Sequence, residues 1–285
     1  MRKPPVRRVY RIAKAMRRQL PWVPPGHFYS PLTSPEDVER ALRQPPVTDL
    51  VDVRAGAQVR LVSSLGPMWQ EFPAGERWSG GPENVQFGLA DAAVYSSVLR
   101  HFRPRRVIEV GSGYSSAVAL DVRQEHGLTV DLTFIEPYTE RLEGLLRPDD
   151  RSTVVIRKEF VQDTPLPTFA ALEPGDVLFI DSTHVLKAGS DVEHLMFRVL
   201  PSLPAGVLVH VHDCFWPWQY RPEWLRMHRD WNELYFLHAF LAGNAAWRIV
   251  LFNDWVWQTR PDLVEKHLPA AAGERPGGLW LEKLA

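Results

Sequence analysis

The hydrophobic pattern of the chain changes near residue 89. Beyond that point short, continuous apolar runs alternate with amphipathic segments, and continuous apolar runs are typical of parallel strands that are covered on both faces. The alternation predicts an α/β fold with a Rossmann-like, doubly wound and mostly parallel sheet. The predicted strands are 105–110, 132–135, 154–156, 176–180 and 206–212, and the predicted helices are 89–102, a run ending at Arg123, and 192–200.

Two later apolar segments, 247–252 and 279–284, predict two more strands. They follow the repeats without a full crossover between them, so we place them as an antiparallel edge of the sheet.

The region before residue 89 has a different character. Ten prolines between residues 21 and 88 interrupt regular structure. Ser34-Pro35-Glu36-Asp37 has the order of an N-cap, a first-turn proline and two acids, which predicts a helix ending near Arg43. A second helix is predicted around 59–69. We therefore expect a basic arm (1–20), a helical, proline-rich cap (21–88) and a main domain (89–285).

Composition excludes several classes of protein. The chain has 285 residues, of which 45% are hydrophobic and 24% charged, and a net charge of -1, so it is not intrinsically disordered. No run approaches the roughly 18 apolar residues of a spanning helix. A single cysteine cannot form an intrachain disulfide and favours a reducing compartment, so we expect a cytoplasmic protein.

The near-zero net charge hides an uneven distribution. Residues 1–20 carry eight basic side chains and no acid, while the other 265 residues carry 25 basic and 34 acidic groups, a net of -9. Val6, Val9, Ala13, Met16 and Leu20 add a loose apolar stripe at helical spacing. Packing on its own protein or a second subunit, contact with an anionic membrane and contact with nucleic acid are the three interpretations of the arm.

Ionisable or polar groups follow every predicted parallel strand. In an open α/β sheet, ligands bind beyond the carboxyl ends of the strands, so these side chains are the candidates for a site. In strand order they are Glu109 before the Gly111/Gly113 loop, Glu136, Gln162 with Asp163, Asp181 with His184, and His212 with Asp213.

The glycine loop after the first strand is similar to the dinucleotide fingerprint, but Ser116 stands where its third glycine would fall. That departure, with no second nucleotide-binding half, disfavours an NAD-dependent oxidoreductase. A glycine turn still lets a ligand approach the backbone closely. Glu136, which ends the second strand, can accept both hydroxyls of a ribose, so the pattern predicts nucleoside binding.

Four blocks together resemble class I S-adenosylmethionine (SAM)-dependent methyltransferases: EVGSGYSS (109–116), FIEPY (134–138), FIDSTHV (179–185) and GVLVHVHD (206–213). An uncharacterised bacterial branch is similar over roughly residues 24–257. Its further motif positions read here Asn84, Phe87, Asp91-Ala92, Leu99-Arg100, Arg103-Pro104, Gly189-Ser-Asp-Val192 and Trp231-Asn-Glu233.

The resemblance implies a seven-stranded sheet with its last strand antiparallel, and SAM as the cofactor. Its methionine end would lie at the glycine loop, its ribose at Glu136 and its adenine near Gln162 and Asp163. The cofactor residues carried over are Glu109, Gly111, Ser112, Gly113, Tyr114, Ser115, Glu136, Gln162, Asp163 and Asp181.

Metal-dependent sugar O-methyltransferases of the macrocin type show a similar placement of acids and histidine. That likeness implies that Asp181 and Asp213 hold a divalent metal and that His184 is the base. His212, which we include as a third metal ligand, stands where an acid is expected, and this favours a softer metal or none. Without a metal, the same side chains would form a hydrogen-bonded network that orients the substrate.

We expect methyl transfer to a hydroxyl, less readily an amine, of a small-molecule or sugar acceptor, as in natural-product biosynthesis, with no nucleic-acid partner. An imidazole is suited to removing the hydroxyl proton, so His184 is the candidate base. Asp181 and Asp213, which would hold the metal beside it, complete the set of catalytic candidates. The alternative function is that of a non-catalytic, SAM-binding scaffold. Association into a homo-oligomer is left open. The predicted acceptor contacts are Lys187, Trp216, Trp218 and Tyr220; the three aromatics could instead pack against the cap.

Overall fold

The computed structural model describes residues 22–72, 76–79, 84 and 86–285. The predicted basic arm (1–20) lies outside these ranges. By its internal contacts the chain divides into two compact units, Met1–Pro45 with Arg221–Asp230, and Pro46–Tyr220 with Trp231–Ala285.

The first unit holds two short helices, Pro35–Arg43 and Pro222–Arg226. The predicted helix start is confirmed: the Ser34 hydroxyl accepts from the Asp37 backbone N–H, and the Asp37 carboxylate accepts from the Ser34 N–H. Asp230 accepts hydrogen bonds from the backbone N–H of Thr33, at 2.9 Å, and from its hydroxyl, at 2.6 Å. These bonds tie the two chain segments of the unit together.

The second unit is built on a seven-stranded sheet with the order β3-β2-β1-β4-β5-β7-β6. β1 to β5 are parallel, and β7 runs antiparallel to both β5 and β6, which confirms the predicted fold class. The strands are β1 Arg106–Val110, β2 Asp131–Ile135, β3 Val154–Arg157, β4 Val177–Ile180, β5 Leu208–Val211, β6 Trp247–Phe252 and β7 Leu279–Lys283.

Helices cover this sheet, and four of them differ from the sequence expectation. The predicted helix 59–69 spans Ala55–Gln70, and the predicted helix 192–200 is Asp191–His194 followed by the π-turn Leu195–Val199 and Leu200–Ser202. Two helices that the apolar pattern did not separate, Asn253–Thr259 and Pro261–His267, join β6 to β7. The remaining helices are Glu76–Ser79, Leu89–Phe102, Tyr114–Glu125, Glu140–Leu145, Leu166–Ala170 and Glu233–Leu241, with 3-10 turns at Asp150–Ser152, Val161–Asp163 and Pro269–Ala271.

The core lies around the central strands. Every residue of β4 and of β5 is buried, as the continuous apolar runs predict for strands covered on both faces. Burying one large apolar side chain is worth about 1.5–3 kcal/mol, so this core is what holds the loops at the strand ends in place. Within the described residues, the structure contains no helix that is both long and apolar enough to cross a membrane.

Candidate active site

A cleft of about 390 Å³ opens beyond the carboxyl ends of β1, β2 and β4. Its volume is in the range of small-molecule sites. It lies where the strand order reverses between β1 and β4, which is the ligand position typical of open α/β sheets. The residues that line it are Val110, Gly111, 135–138, 160–162, 181–183, Lys187 and 189–191.

Gly111 lets the first loop pass directly under the fourth strand. Its backbone has φ +84°, and a Cβ built there would come within 1.7 Å of the Asp181 carbonyl oxygen. Only glycine combines this conformation with so close an approach between two backbone segments.

Glu136 lies at the end of β2 with both carboxylate oxygens at the cleft. Oε2 accepts from the Ser112 backbone N–H at 3.3 Å, and Oε1 accepts from that of Tyr138 at 2.8 Å. Burial raises the pKa of this carboxyl, and the two backbone donors act in the opposite direction. Each carboxylate oxygen can accept more than one hydrogen bond, so Glu136 has capacity left for the paired hydroxyls of a ribose.

Three buried polar atoms around the cleft have no hydrogen-bond partner among the described residues: Ser112 Oγ, Gln162 Oε1 and Ser182 Oγ. Buried polar atoms are normally paired, so such a group at a cleft indicates a polar ligand. The Gln162 oxygen can accept a hydrogen bond, and the hydroxyls of Ser112 and Ser182 can donate or accept one. These groups fit a ligand in which a nucleoside carries an amino acid substituent. The residues present therefore fit SAM.

Other predicted cofactor residues lie behind or outside the cleft wall. Glu109 is fully buried; the hydroxyls of Ser115 and Ser116 donate to its Oε1 at 2.6 and 2.7 Å, and burial raises its pKa to about 8. It anchors the loop from beneath. Gly113 and Tyr114 begin the helix that follows, and Asp163 is exposed and does not line the cleft.

His184 lies at the centre of a cluster of carboxylates beside the cleft. Its Nε2 is 3.3 Å from Asp181 Oδ1 and 3.5 Å from Asp213 Oδ2, and its Nδ1 is 3.0 Å from Glu233 Oε2. His184 and Asp213 both adopt positive φ, +60° and +54°, which is uncommon for residues other than glycine. Such conformations concentrate at functional sites.

Glu233 was not predicted as a site residue. It begins the helix Glu233–Leu241, and the segment before it is fastened to the His184 loop by backbone bonds: the N–H groups of Asn232 and Glu233 donate to the His184 carbonyl at 3.0 and 3.2 Å. The Asn232 side-chain oxygen also accepts from the Leu186 N–H at 2.6 Å. The Trp-Asn-Glu block was the available signal, because Glu233 is itself one of its motif positions.

The charges of the cluster support one another. Burial lowers the pKa of His184, but Asp181, Glu233 and Asp213 outweigh it and raise that pKa well above its usual range. Burial would raise the pKa of Asp181, and the two histidines at 184 and 212 reverse this and lower it. The cluster therefore stabilises an imidazolium surrounded by carboxylates.

Three motif positions outside the strand ends, Asn84, Phe87 and Asp91, lie near His212. Asn84 accepts from the Phe87 N–H at 3.0 Å and donates to two backbone carbonyls, which fixes Phe87 with its ring 5.2 Å from that of His212. Asp91 accepts from Asn253 Nδ2 at 3.3 Å. Burial raises the pKa of Asp91 to about 6.

His212 is placed differently from the other predicted metal ligands. Its Nδ1 is 3.3 Å from His210 Nε2, and its Nε2 is 3.9 Å from Asp213 Oδ1. Among the described residues, the group that could hold a metal ion is Asp181, His184 and Asp213, whose ligand atoms all lie within 4.8 Å of one another. His184 thus takes the place that the sequence interpretation gave to His212. Two carboxylates and an imidazole are a ligand set that fits a divalent cation.

The aromatic residues after β5 are mostly packed inside the fold. Trp218 is buried and stacks on His238 at 4.5 Å, and the buried Tyr220 hydroxyl accepts from the Leu234 N–H at 3.1 Å. These placements leave both rings little surface for an acceptor. Trp216 is half-buried and its backbone N–H donates to Asp254. Trp231 instead lies against the cluster, with its ring 4.4 Å from that of His184.

Lys187 is exposed and lines the cleft, as the sequence places it. Ser190 caps the following helix: its hydroxyl accepts from the N–H of Glu193 and of Lys187, both at 3.1 Å. The Asp191 carboxylate accepts from the N–H and the hydroxyl of Thr183. These bonds set the turn between Asp181 and the cleft wall.

Comparison with known proteins agrees with this geometry. Residues 108–214 match a family model described as a methyltransferase domain. An uncharacterised protein of Archaeoglobus fulgidus is 29% identical over 169 residues, which is 53% of this chain and 73% of that protein. Residues 108–214 are therefore similar to a methyltransferase domain, as the motifs indicate.

Solved structures with a similar fold are distant. CmcI with magnesium and SAM is 19% identical, over 75% of this chain and 85% of that one, with a TM-score of 0.42. The O-methyltransferase TomG from Streptomyces achromogenes, involved in tomaymycin synthesis and bound to SAM, is 16% identical over 81% and 96%, with a TM-score of 0.45. The SAH-bound methyltransferase PaMTH1 of Podospora anserina is 15% identical over 93% and 100%, with a TM-score of 0.44.

Proposed function

We propose that this SAM-dependent methyltransferase transfers the methyl group to a hydroxyl of a small-molecule or sugar acceptor, with His184 as the base. The observation that supports it most directly is the Asp181–His184–Asp213 cluster next to the cleft, with Glu233 on the far ring nitrogen. An alcohol must lose a proton when it is methylated, and a buried imidazole flanked by carboxylates is suited to take that proton.

The cofactor part of the proposal assigns a task to each wall of the cleft. Glu136 binds the ribose hydroxyls, Gln162 Oε1 accepts from the adenine amino group, and the loop at Gly111 and Ser112 holds the amino acid end. When bound, SAM supplies a methyl group on a positively charged sulfur. Holding the acceptor oxygen in line with that carbon accounts for much of the catalysis, since alignment alone can supply roughly 7–11 kcal/mol.

The proton is handled by His184. Glu233 accepts from Nδ1–H, which leaves Nε2 as the atom that takes the acceptor proton. After the transfer, Asp181 and Asp213 stabilise the imidazolium, as the raised pKa of His184 indicates. Lys187, which lines the cleft, and Trp231, whose ring lies 4.4 Å from that of His184, are the side chains we assign to acceptor binding.

The residues that would hold a divalent cation are Asp181, Asp213 and His184. A cation there would supply Lewis-acid polarisation of the acceptor oxygen. If His184 is a ligand rather than the base, its Nδ1–H bond to Glu233 would serve as the carboxylate contact that metal-bound histidines commonly make.

SAM binding is tested by thermal shift. SAM at about 100 times its Kd adds roughly 2.7 kcal/mol of stability, and NAD at the same concentration adds none. Stabilisation by NAD alone would overturn the cofactor assignment. Glu136→Gln should weaken this SAM effect, while Glu140→Gln, on the exposed side of the next helix, should not.

The reaction is tested with radiolabelled SAM and a panel of glycosides, phenols and amines. His184→Ala and Asp181→Ala should abolish transfer to hydroxyls while SAM still binds; His101→Ala, an exposed histidine, is the control. Transfer to amines alone, or full activity in His184→Ala, contradicts the proposal. Full activity after dialysis against a chelator contradicts the use of a metal.

A non-catalytic, SAM-binding scaffold is the second candidate. The cluster argues against it, because His184, Asp213 and Glu233 do not line the cleft assigned to SAM and so serve no purpose in holding it. The single cysteine, free and buried, fits a reducing compartment such as the cytoplasm, which we propose as the place of action.

A further inference from the structure

An exposed aromatic cluster lies at the start of the described chain. Trp22, Phe28 and Tyr29 are 84%, 80% and 63% exposed. Their rings contact one another: Phe28 and Tyr29 have centroids 4.2 Å apart, and Trp22 and Tyr29 are 5.4 Å apart. Three large aromatic rings grouped on the surface of one loop indicate a contact surface rather than scattered exposure.

The loop that carries these rings is closed by its own backbone. The Gly26 N–H donates to the Leu32 carbonyl at 3.1 Å, and the Ser30 N–H donates to that of His27 at 2.6 Å. Gly26 has φ +77°, which the closure requires. Residues 22–35 contain no Lys, Arg, Asp or Glu, so bringing this loop to an apolar boundary desolvates no formal charge.

The charge of the residues before this loop is complementary to an anionic surface. The aromatic loop follows the eight basic residues of 1–20, which include no acid, while the rest of the chain has a net charge of -9. An anionic membrane therefore attracts the segment beside the loop and repels the catalytic part.

We propose that the loop with Trp22, Phe28 and Tyr29 binds the surface of an anionic lipid bilayer with these rings in the interface, and that the positive charge of residues 1–20 attracts the chain to the headgroups. Trp and Tyr are enriched at membrane–water interfaces because their rings have an apolar body and a polar edge. Each basic side chain near an anionic surface contributes about five-fold to binding, and aromatic insertion adds an attraction that salt does not screen. This proposal is independent of the methyl acceptor.

Two other partners fit the surface less well. Single-stranded nucleic acid is bound by aromatics set along a basic groove, whereas here the rings follow the basic run on an uncharged loop. A second copy of the chain would bring its own eight basic residues to the same place, where like charges repel.

The test is co-sedimentation of the full chain with vesicles. We expect binding to equal parts of phosphatidylglycerol and phosphatidylcholine, about ten-fold or more weaker binding to phosphatidylcholine alone, and reduced binding at high salt, where the Debye length shortens from about 10 Å to 3 Å. Arg7→Glu/Arg8→Glu/Arg11→Glu should weaken binding about 100-fold or more. The triple change Trp22→Ser/Phe28→Ser/Tyr29→Ser should weaken it about ten-fold and make the remainder fully sensitive to salt.

Phe197→Ser is the matched control, since Phe197 is 62% exposed elsewhere on the chain, and it should bind vesicles as the unaltered chain does. Stabilisation by SAM shows that each variant is folded. Equal binding to both vesicles, or unchanged binding in either triple variant, overturns the proposal. Two further results would overturn it, each in the absence of vesicle binding. One is capture of single-stranded RNA, and the other is self-association in analytical ultracentrifugation that the aromatic variant abolishes.

Discussion

Replacing Glu233 with glutamine removes one negative charge from the His184 cluster while keeping the size of the side chain. The carboxylate is 2% exposed, and its Oε2 lies 3.0 Å from His184 Nδ1, so water cannot take its place. Loss of a carboxylate that orients a functional histidine typically costs 10–100-fold in activity. That range corresponds to roughly 1.4–2.7 kcal/mol of transition-state stabilisation.

The change also has a direction in pH. Glu233 is one of three carboxylates that raise the pKa of His184 against the effect of burial. If neutral His184 is the base, activity rises with pH through that pKa. Removing one carboxylate lowers the pKa, so the acid limb of the kcat profile should move to lower pH while the plateau falls by the expected 10–100-fold.

The assay is kcat at saturating SAM from neutral to alkaline pH, where the raised pKa of His184 lies, with SAM binding measured in parallel by calorimetry. Glu125→Gln, on an exposed helix end, is the control and should leave both quantities unchanged. An unshifted acid limb with unaltered kcat would refute the role given to Glu233. Loss of activity together with loss of SAM binding would also refute it, because it would show that Glu233 only maintains the fold.

Two further changes test the loop of β1. Gly111→Ala should lower the melting temperature and abolish stabilisation by SAM, because its Cβ would overlap the Asp181 carbonyl oxygen at 1.7 Å. Gly127→Ala is the control: Gly127 also has positive φ, +57°, but nothing lies within 4 Å of the added Cβ, so the change should cost only the ~1–2 kcal/mol of a left-handed residue. Glu109→Gln should make urea unfolding less sensitive to pH. Burial raises the pKa of Glu109 to about 8, so between about pH 5 and 8 the unfolded state has released this proton while the folded state still holds it. The free energy of unfolding of the unaltered protein therefore falls by a few kcal/mol over this range. Glutamine does not titrate, so the variant should not show this fall. Parallel pH dependence of the two proteins would contradict this reasoning.

Local patterns predicted the parts of the site that follow strands. The apolar runs located β1, β4 and β5, and the topology rule for open sheets then placed Gly111, Glu136 and Asp181 at one edge, where the structure has them. The predicted helix start at Ser34 rests on a spacing of three residues, and it was confirmed for the same reason: the contacts are local.

Contacts between distant segments were not predictable in this way. Glu233 is 49 residues from His184 in sequence, and no periodicity links them; the helix start at 233 meets the His184 loop only after both have packed on the sheet.

In the aromatic segment after β5, the sequence indicated a contact that the structure does not have. Its composition suggested an acceptor wall, yet Trp218 and Tyr220 are buried, and Trp231 is the ring beside His184.

The sequence by itself determined the succession of the strands and the residues at each strand end, and it indicated the class of cofactor, because these depend on periodicity and on motifs of a few residues. The tertiary structure decided which of those residues meet. Burial and packing set His184 among three carboxylates, directed His212 toward His210, and left Trp22, Phe28 and Tyr29 on the surface. The chemistry of each side chain is known from the sequence, whereas its neighbours and its burial are set only when the sheet forms and brings the strand ends together.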